Sequence, residues 1–435
     1  MFKFRYNLLA IFQISLLFLN TVILIRVFGA SFQTDAYLIA SSIIEALGLI
    51  QLMSVEQFMY FYHDLKVKSV EEAYKFYNSS LVFSIVVGIA FFAILFVGIN
   101  YIIDIFAYNI DPQRYIVLKD VLIILIVGMI FNSANFVNQR LLNAEMKFSI
   151  PYILEGIFPL FILISLIYIL ISNNPNIEFL AYARVLGIII AFILGLVIIK
   201  KLGIPFKLRL RHPMLKSFVK NSFSMRFGHN IHNLFFNPIT TNILSSLPVG
   251  YASLFYYAQM IVIAVNSMVL GPSIRVLYSK VSNYWAEDEI NLIKKSIKDY
   301  LRIYIPLFVV ALILTFFIIP TALNLISSGT LSPADIELIK YIFAGLAVWY
   351  LIIMIESAFV SVGVASKNSV IFITTNTIFI IIFFSLSFLL KNDIGVFAIP
   401  IAAIIGQIIN FIFYSTYGLK LLKIKIRGRN HKPKN

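Results

Sequence analysis

Residues 216–246 read KSFVKNSFSMRFGHNIHNLFFNPITTNILSS, a stretch long enough to cross a bilayer as a helix. At 3.6 residues per turn, Ser222, Arg226, His229, Asn233, Asn237 and Thr240 share one face, while Phe, Leu, Ile and Met fill most of the rest. Hydrocarbon offers no partner to a guanidinium or an amide, so that face has to look onto protein or a water-filled cavity. Such a stripe serves either as a cation-bearing binding surface or as a polar seam bonded to a neighbouring helix. His229 and His232 also share a face, but the helix has no carboxylate or cysteine to complete a metal-ligand set.

Outward from this stretch the chain is apolar in both directions. Of its 435 residues 60% are hydrophobic and 13% charged, with a mean hydropathy of +0.92. Soluble domains carry about a quarter charged residues. Apolar runs of about twenty residues recur along the whole length, which predicts an all-α integral membrane protein. The runs are continuous and do not alternate, which excludes a β-barrel. The first run, Asn7–Val27, lacks a small-residue cleavage site and is expected to be a retained span. No cysteine is present, so disulfide and thiol chemistry are excluded.

Twelve spans are expected, at about 7–27, 35–62, 76–103, 117–139, 148–172, 178–199, 216–246, 250–279, 299–320, 336–363, 368–390 and 394–419. With the N-terminus inside, the segments 1–6, 63–75, 140–147, 200–216, 280–302, 364–367 and 420–435 hold 26 of the 35 Lys and Arg residues. The outer loops and their flanks hold five. That asymmetry predicts two cytoplasmic termini. It also accounts for the net charge of +15 with no nucleic-acid partner. The tail KLLKIKIRGRNHKPKN is expected to lie against the lipid of the inner leaflet.

The basic loop KKLGIPFKLRLRHPMLK separates two halves of six spans, 1–205 and 206–435. Tyr37-Leu-Ile-Ala40 matches Phe255-Tyr-Tyr-Ala258, and Lys147-Phe-Ser149 matches Lys367-Asn-Ser369, at nearly one offset. Ser69-Val-Glu-Glu72 has a capping-box pattern. At the corresponding place Ile290, Ile293, Ile297 and Leu301 predict a short helix on the inner surface. An internal repeat of six predicts two six-helix bundles around a central cavity lined by span seven.

Two blocks carry a family resemblance. Arg26-Val-Phe-Gly-Ala-Ser-Phe-Gln-Thr-Asp-Ala-Tyr-Leu-Ile-Ala40 and Val249-Gly-Tyr-Ala-Ser-Leu-Phe-Tyr-Tyr-Ala258, the latter followed by Leu270-Gly-Pro-Ser273, resemble the multidrug/oligosaccharidyl-lipid/polysaccharide exporter superfamily, and within it the lipid II flippase branch. That branch carries further arginines in spans one and two and one after the Tyr-Ala of span eight. Here those spans hold Arg26 alone, and the later position is Gln259. The resemblance implies a flippase of the bacterial inner membrane. Its substrate would be an undecaprenyl-diphosphate-linked saccharide, either lipid II or an O-antigen or capsule repeat unit, moved by alternating access.

Such a substrate needs cations for its diphosphate and polar groups for its sugar. Arg226 suits bidentate phosphate contact and Lys220 supplies a point charge. His229, Asn230, Asn233 and Asn237 add polar partners, and Arg184 and Arg275 are further candidates. Glu45, Glu56, Glu155 and Glu356 lie in apolar surroundings, and Asp35 sits at the outer mouth of span two. Asp35, Glu45, Glu56 and Glu356 are candidates for coupling transport to a proton or sodium ion, and structural pairing with a cavity arginine is the reading favoured for any one of them. No nucleotide-binding loop occurs. The competing classes are an ion-coupled multidrug exporter of the same fold and a membrane saccharide polymerase or ligase. The enzyme needs catalytic residues in a sizeable outer loop, and the loop near 321–335, TALNLISSGTLSPAD, has no His, Arg or Lys. No catalytic residue, cofactor or metal is therefore expected.

Overall fold

A computed structural model describes residues 2–366 and 369–430. Within them the side chains of 2–11, 14, 224–231, 233, 270–272, 369–370 and 424–430 fall outside the description. Among the described residues the secondary structure is helical throughout, as the continuous apolar runs dictate. In chain order the elements are α1 Phe2–Phe28, α2 Phe32–Leu52, α3 Phe58–Lys68, α4 Val70–Val97, α5 Ile99–Phe106, α6 Pro112–Ala144, α7 Ser149–Ser172, α8 Glu178–Lys201, α9 Leu215–Ser245, α10 Tyr251–Ala286, α11 Ile290–Ser327, α12 Pro333–Ala365, α13 Ser369–Ile394 and α14 Ala398–Asn430. A single 3₁₀ turn, Gly395–Phe397, joins the last two.

Nine stretches among the described residues are long and apolar enough to cross a membrane. One of them, Ile371–Lys423, takes in most of both α13 and α14. α1 contributes only the shorter apolar segment Ser15–Phe28, and α9 with its polar stripe is not among the nine. The protein is thus a multi-pass membrane protein, and the criterion stops short of the twelve crossings expected.

Two expected elements differ. Span two does not run unbroken over 35–62. The chain tightens at Met53–Gln57, where Met53, Ser54, Val55 and Phe58 donate to carbonyls three residues back. Ser54 Oγ also bonds the Gln51 carbonyl at 2.8 Å. The backbone N–H of Gln57 leaves the helix ladder for Ser222 Oγ, 3.0 Å away on α9. Glu56 therefore sits in this turn and not inside a span. Conversely, the short surface helix expected at 290–301 is the beginning of α11, which continues for 38 residues. Nothing in Ile290–Ile305 breaks a helix, and the first proline is Pro306.

The chain divides into two compact units, Met1–Ser253 with Ile326–Thr330, and Leu254–Leu325 with Leu331–Asn435. In the first, α6 packs against α2, α4 and α8, and α9 packs against α2. Its core at the end of basic loops is aromatic: Phe76 and Phe218 meet at 5.3 Å, and Phe58 stacks on Phe76 at 5.6 Å. Burying rings of this size is the dominant favourable contribution there. In the second, α14 packs against α12 and α13. Helix starts follow their sequence signals. Ser69 caps α4 by accepting from Glu72 N at 3.3 Å, Asp111 caps α6, and Ser332 and Asp335 form a reciprocal capping box on α12.

Candidate functional site

The first unit contains a cavity of about 480 Å³, framed by α2, α6, α8 and α9. Its polar lining is Glu45 from α2, Asn132 from α6, Arg184 from α8 and Asn237 from α9. Ile44, Leu49, Leu52, Leu125, Met129 and Ile188 supply the apolar walls. Two glycines let the helices approach here. A Cβ on Gly48 would stand 3.1 Å from Asn132 Nδ2, and one on Gly128 would stand 3.1 Å from the Ile188 side chain.

Arg184 is the enclosed charge, its side chain 13% exposed, with Nη2 3.3 Å from Glu45 Oε1. Glu45, on the same cavity lining, is 61% exposed and balances the guanidinium. The guanidinium also lies 5.9 Å from the Phe158 ring, an arrangement a planar cation favours. It has five N–H donors in a fixed fork. Besides Glu45 the guanidinium bonds the Tyr37 side chain, and a fork of five donors can serve both partners and an anionic ligand. Below Arg184, Asn132 Nδ2 donates to Gln51 Oε1 at 3.3 Å, and Gln51 Nε2 donates to the Met129 carbonyl at 2.7 Å. This amide chain fixes the orientation of Asn132 at the cavity wall.

The structure thus brings together Arg184, Glu45 and Asn237 from the expected residues, and adds Asn132. Lys220 is exposed on α9. Arg275 is exposed on α10 and belongs to the second unit. Arg226, His229, Asn230 and Asn233 lie on α9, but their side chains are outside the described residues. A seam forms at the Ser222 end of the α9 stripe and beside its other end. Ser222 accepts from Gln57 N, and Thr241 Oγ1, the neighbour of the striped Thr240, lies 2.8 Å from Ser42 Oγ of α2.

Three carboxylates lie elsewhere. Asp35 is fully buried. It accepts from Gly250 N and Ser253 N, each at 2.7 Å, and from the Ser253 hydroxyl. Arg114 Nη1 lies 3.4 Å from it, and Arg114 Nη2 donates to the Leu247 carbonyl at 2.7 Å. Asp35 therefore works as an N-cap supplied in trans to α10. Glu56 faces Arg140 Nη2 at 3.6 Å. Glu356, in the second unit, accepts from Gln407 Nε2 at 2.6 Å and from Asn410 Nδ2 at 3.3 Å. Trp349 Nε1 donates to Gln407 Oε1 at 3.1 Å. An indole only donates, which fixes the Gln407 amide so that its NH₂ points at Glu356.

Sequence reasoning missed Asn132, Gln51 and Arg114. Isolated amides on apolar helices have no spacing signal, and nothing in the sequence around Arg114 marks a cation whose side chain is only 3% exposed. Its partner Asp35 is 79 residues away.

A cation and amides facing a cavity framed by apolar helices are the arrangement of a polytopic membrane protein that handles polar cargo. The chain belongs to the lipid II flippase MurJ family, whose model matches residues 24–428. Among solved structures it is similar to a lipid II flippase MurJ in an inward closed conformation, at 19% identity and TM-score 0.80, covering 99% of this chain and 93% of that one. It is also similar to an inward-facing multidrug resistance MATE family transporter, at 13% identity and TM-score 0.77, covering 95% and 96%. A third is a MOP superfamily transporter from Pyrococcus furiosus with a binding pocket of reverse polarity, at 13% identity and TM-score 0.60, covering 96% and 95%. At such identities these likenesses establish the fold. No individually curated protein matches the chain.

Proposed function

We propose that this protein is a flippase that carries an undecaprenyl-diphosphate-linked saccharide, lipid II or a surface-polysaccharide repeat unit, across the bacterial inner membrane. The observation that carries the proposal is membership of the lipid II flippase family over residues 24–428. The enclosed guanidinium of Arg184 supports it, because a diphosphate is recognised bidentately by such a fork. A volume of about 480 Å³ suits a diphosphate and part of a sugar. Amides such as Asn132 and Asn237 offer both donors and acceptors to hydroxyls. On α9, Arg226, Lys220, His229, Asn230 and Asn233 extend the same recognition, and Arg275 is a further cationic candidate. The family consists of transporters, and the chain acts without covalent chemistry.

Both termini face the cytoplasm in this proposal, and the halves 1–205 and 206–435 descend from one six-span repeat. Asp35, Glu45, Glu56 and Glu356 are the candidates for coupling to a proton or sodium gradient. Glu356 suits that role best, since amides and no cation hold it among the described residues. Asp35 suits it least, since its oxygens are committed to α10 and Arg114. Neutralising each in turn and measuring the response of transport to an uncoupler tests this. No change in any of the four excludes all of them.

The likeness to a multidrug transporter favours a second function, export of cationic drugs. The more enclosed charge in the cavity is a cation, which disfavours such cargo. Complementation of a strain depleted of its lipid II flippase separates the two. Growth with no gain in drug resistance is expected, and resistance without growth overturns the proposal.

A further inference from the structure

A second pocket lies at the start of α11, in the second unit. It is a groove of about 570 Å³ lined by Ile297, Leu301, Phe359, Leu419 and Leu422, with Lys294, Lys298 and Arg302 along its rim. The three cations are spaced by four residues, so they rise along one face of α11 at about 6 Å per step. All three side chains are exposed, and none has an ion-pair partner among the described residues. Asp299, the nearest acid in sequence, lines a different pocket with Tyr300 and Tyr304. The groove therefore combines an apolar trough with an uncompensated row of positive charge.

We infer that this groove is a binding site for an anionic phospholipid of the leaflet that faces the basic loops. One acyl chain lies along Leu301, Phe359, Leu419 and Leu422, and the phosphate is held by Lys294, Lys298 and Arg302. Charge complementarity selects this occupant. Beyond Leu422 the chain's own tail, from Lys423 to Lys434, carries the same charge as the rim and cannot compensate it. A zwitterionic lipid fills the trough equally well but leaves the three cations without net compensation. Arginine and lysine close to a membrane surface each strengthen attraction to anionic lipid. Continuity of α11 from its amphipathic start into its apolar body places rim and trough on one rigid element. The inference stands apart from the identity of the transported saccharide.

Native mass spectrometry of the full-length protein tests it, with palmitoyl-oleoyl phosphatidylglycerol and palmitoyl-oleoyl phosphatidylethanolamine at equal concentration. Wild type is expected to retain phosphatidylglycerol preferentially. The triple variant Lys294→Gln, Lys298→Gln, Arg302→Gln is expected to lose that preference about tenfold or more. The control Lys200→Gln, Lys201→Gln, an exposed basic pair on α8, is expected to keep it. Inorganic phosphate should not displace the lipid, because the trough contributes part of the binding. Equal retention of the two lipids by wild type overturns the inference. So does an undiminished preference in the triple variant, an equal loss in the control, or displacement by phosphate alone. Retention of undecaprenyl diphosphate in place of phosphatidylglycerol at this groove overturns it as well, and assigns the groove to the transported lipid.

Discussion

Arg184 and Asp35 are both charged, both paired and both within the first unit, yet their surroundings give them opposite roles. The carboxylate partner of Arg184 is mostly exposed on the cavity lining, so removing the guanidinium leaves no fully buried charge behind. Arg184→Ala is therefore expected to reach the membrane at normal abundance and lose transport, and Arg184→Lys to keep only part of it. Complementation with membrane abundance measured in parallel checks this, and full transport by Arg184→Ala removes Arg184 from the binding site. Asp35 is the opposite case. Its removal strands a buried guanidinium and the backbone N–H groups of Gly250 and Ser253 at the start of α10, a cost of about 3–5 kcal/mol. Asp35→Ala should lower abundance and melting temperature sharply, whereas normal abundance with altered ion coupling contradicts a structural role. Ser253 stands 218 residues after Asp35, the offset at which Tyr37 matches Phe255.

Elements were legible where a pattern was local. The apolar runs, the Ser69 cap and the polar face of α9 could all be read from spacing. The break at Met53–Gln57 could not, because Leu-Met-Ser-Val-Glu-Gln contains no glycine or proline, and the turn is held by Ser222 from α9. Nor could the strap before α9. There His212 Nδ1 accepts from Met214 N at 3.2 Å, and the ring lies 5.4 Å from Phe76. Burial pushes the imidazole below its ordinary pKa of 6.5, and Glu72 at 3.5 Å only partly opposes this. The folded strap therefore binds fewer protons than the free chain. Its stability is complete above about pH 6.5 and declines as pH falls below that value. Protonation also converts Nδ1 from acceptor to donor and ends its bond to Met214. Hydrogen exchange of residues 212–218, corrected for intrinsic rates, should accelerate from pH 7.5 to 5.5. In His212→Leu the corrected rates should be independent of pH, and an unchanged pH response in that variant rules out His212 as the titrating group.

For the molecule as a whole, composition decided the class and the charge asymmetry decided the expected topology. The cavity itself was only partly legible. Arg184, Glu45 and Asn237 stood out as polar residues in apolar runs, but their convergence depends on α2, α6, α8 and α9 meeting in space. The absence of native cysteine makes the topology directly testable. A cysteine at Pro175 should react with an impermeant thiol reagent in intact cells, and one at Lys207 should not; the reverse pattern inverts the map. The central claim, that the chain flips a lipid-linked saccharide, is tested most directly in proteoliposomes containing the purified protein and a labelled undecaprenyl-diphosphate saccharide. The rate at which the labelled headgroup becomes accessible on the opposite leaflet is the quantity to measure. The expected result is translocation by wild type and its loss in Arg184→Ala, with equal protein incorporated. Translocation no faster than in protein-free vesicles, for lipid II and for surface-polysaccharide precursors alike, would contradict the account.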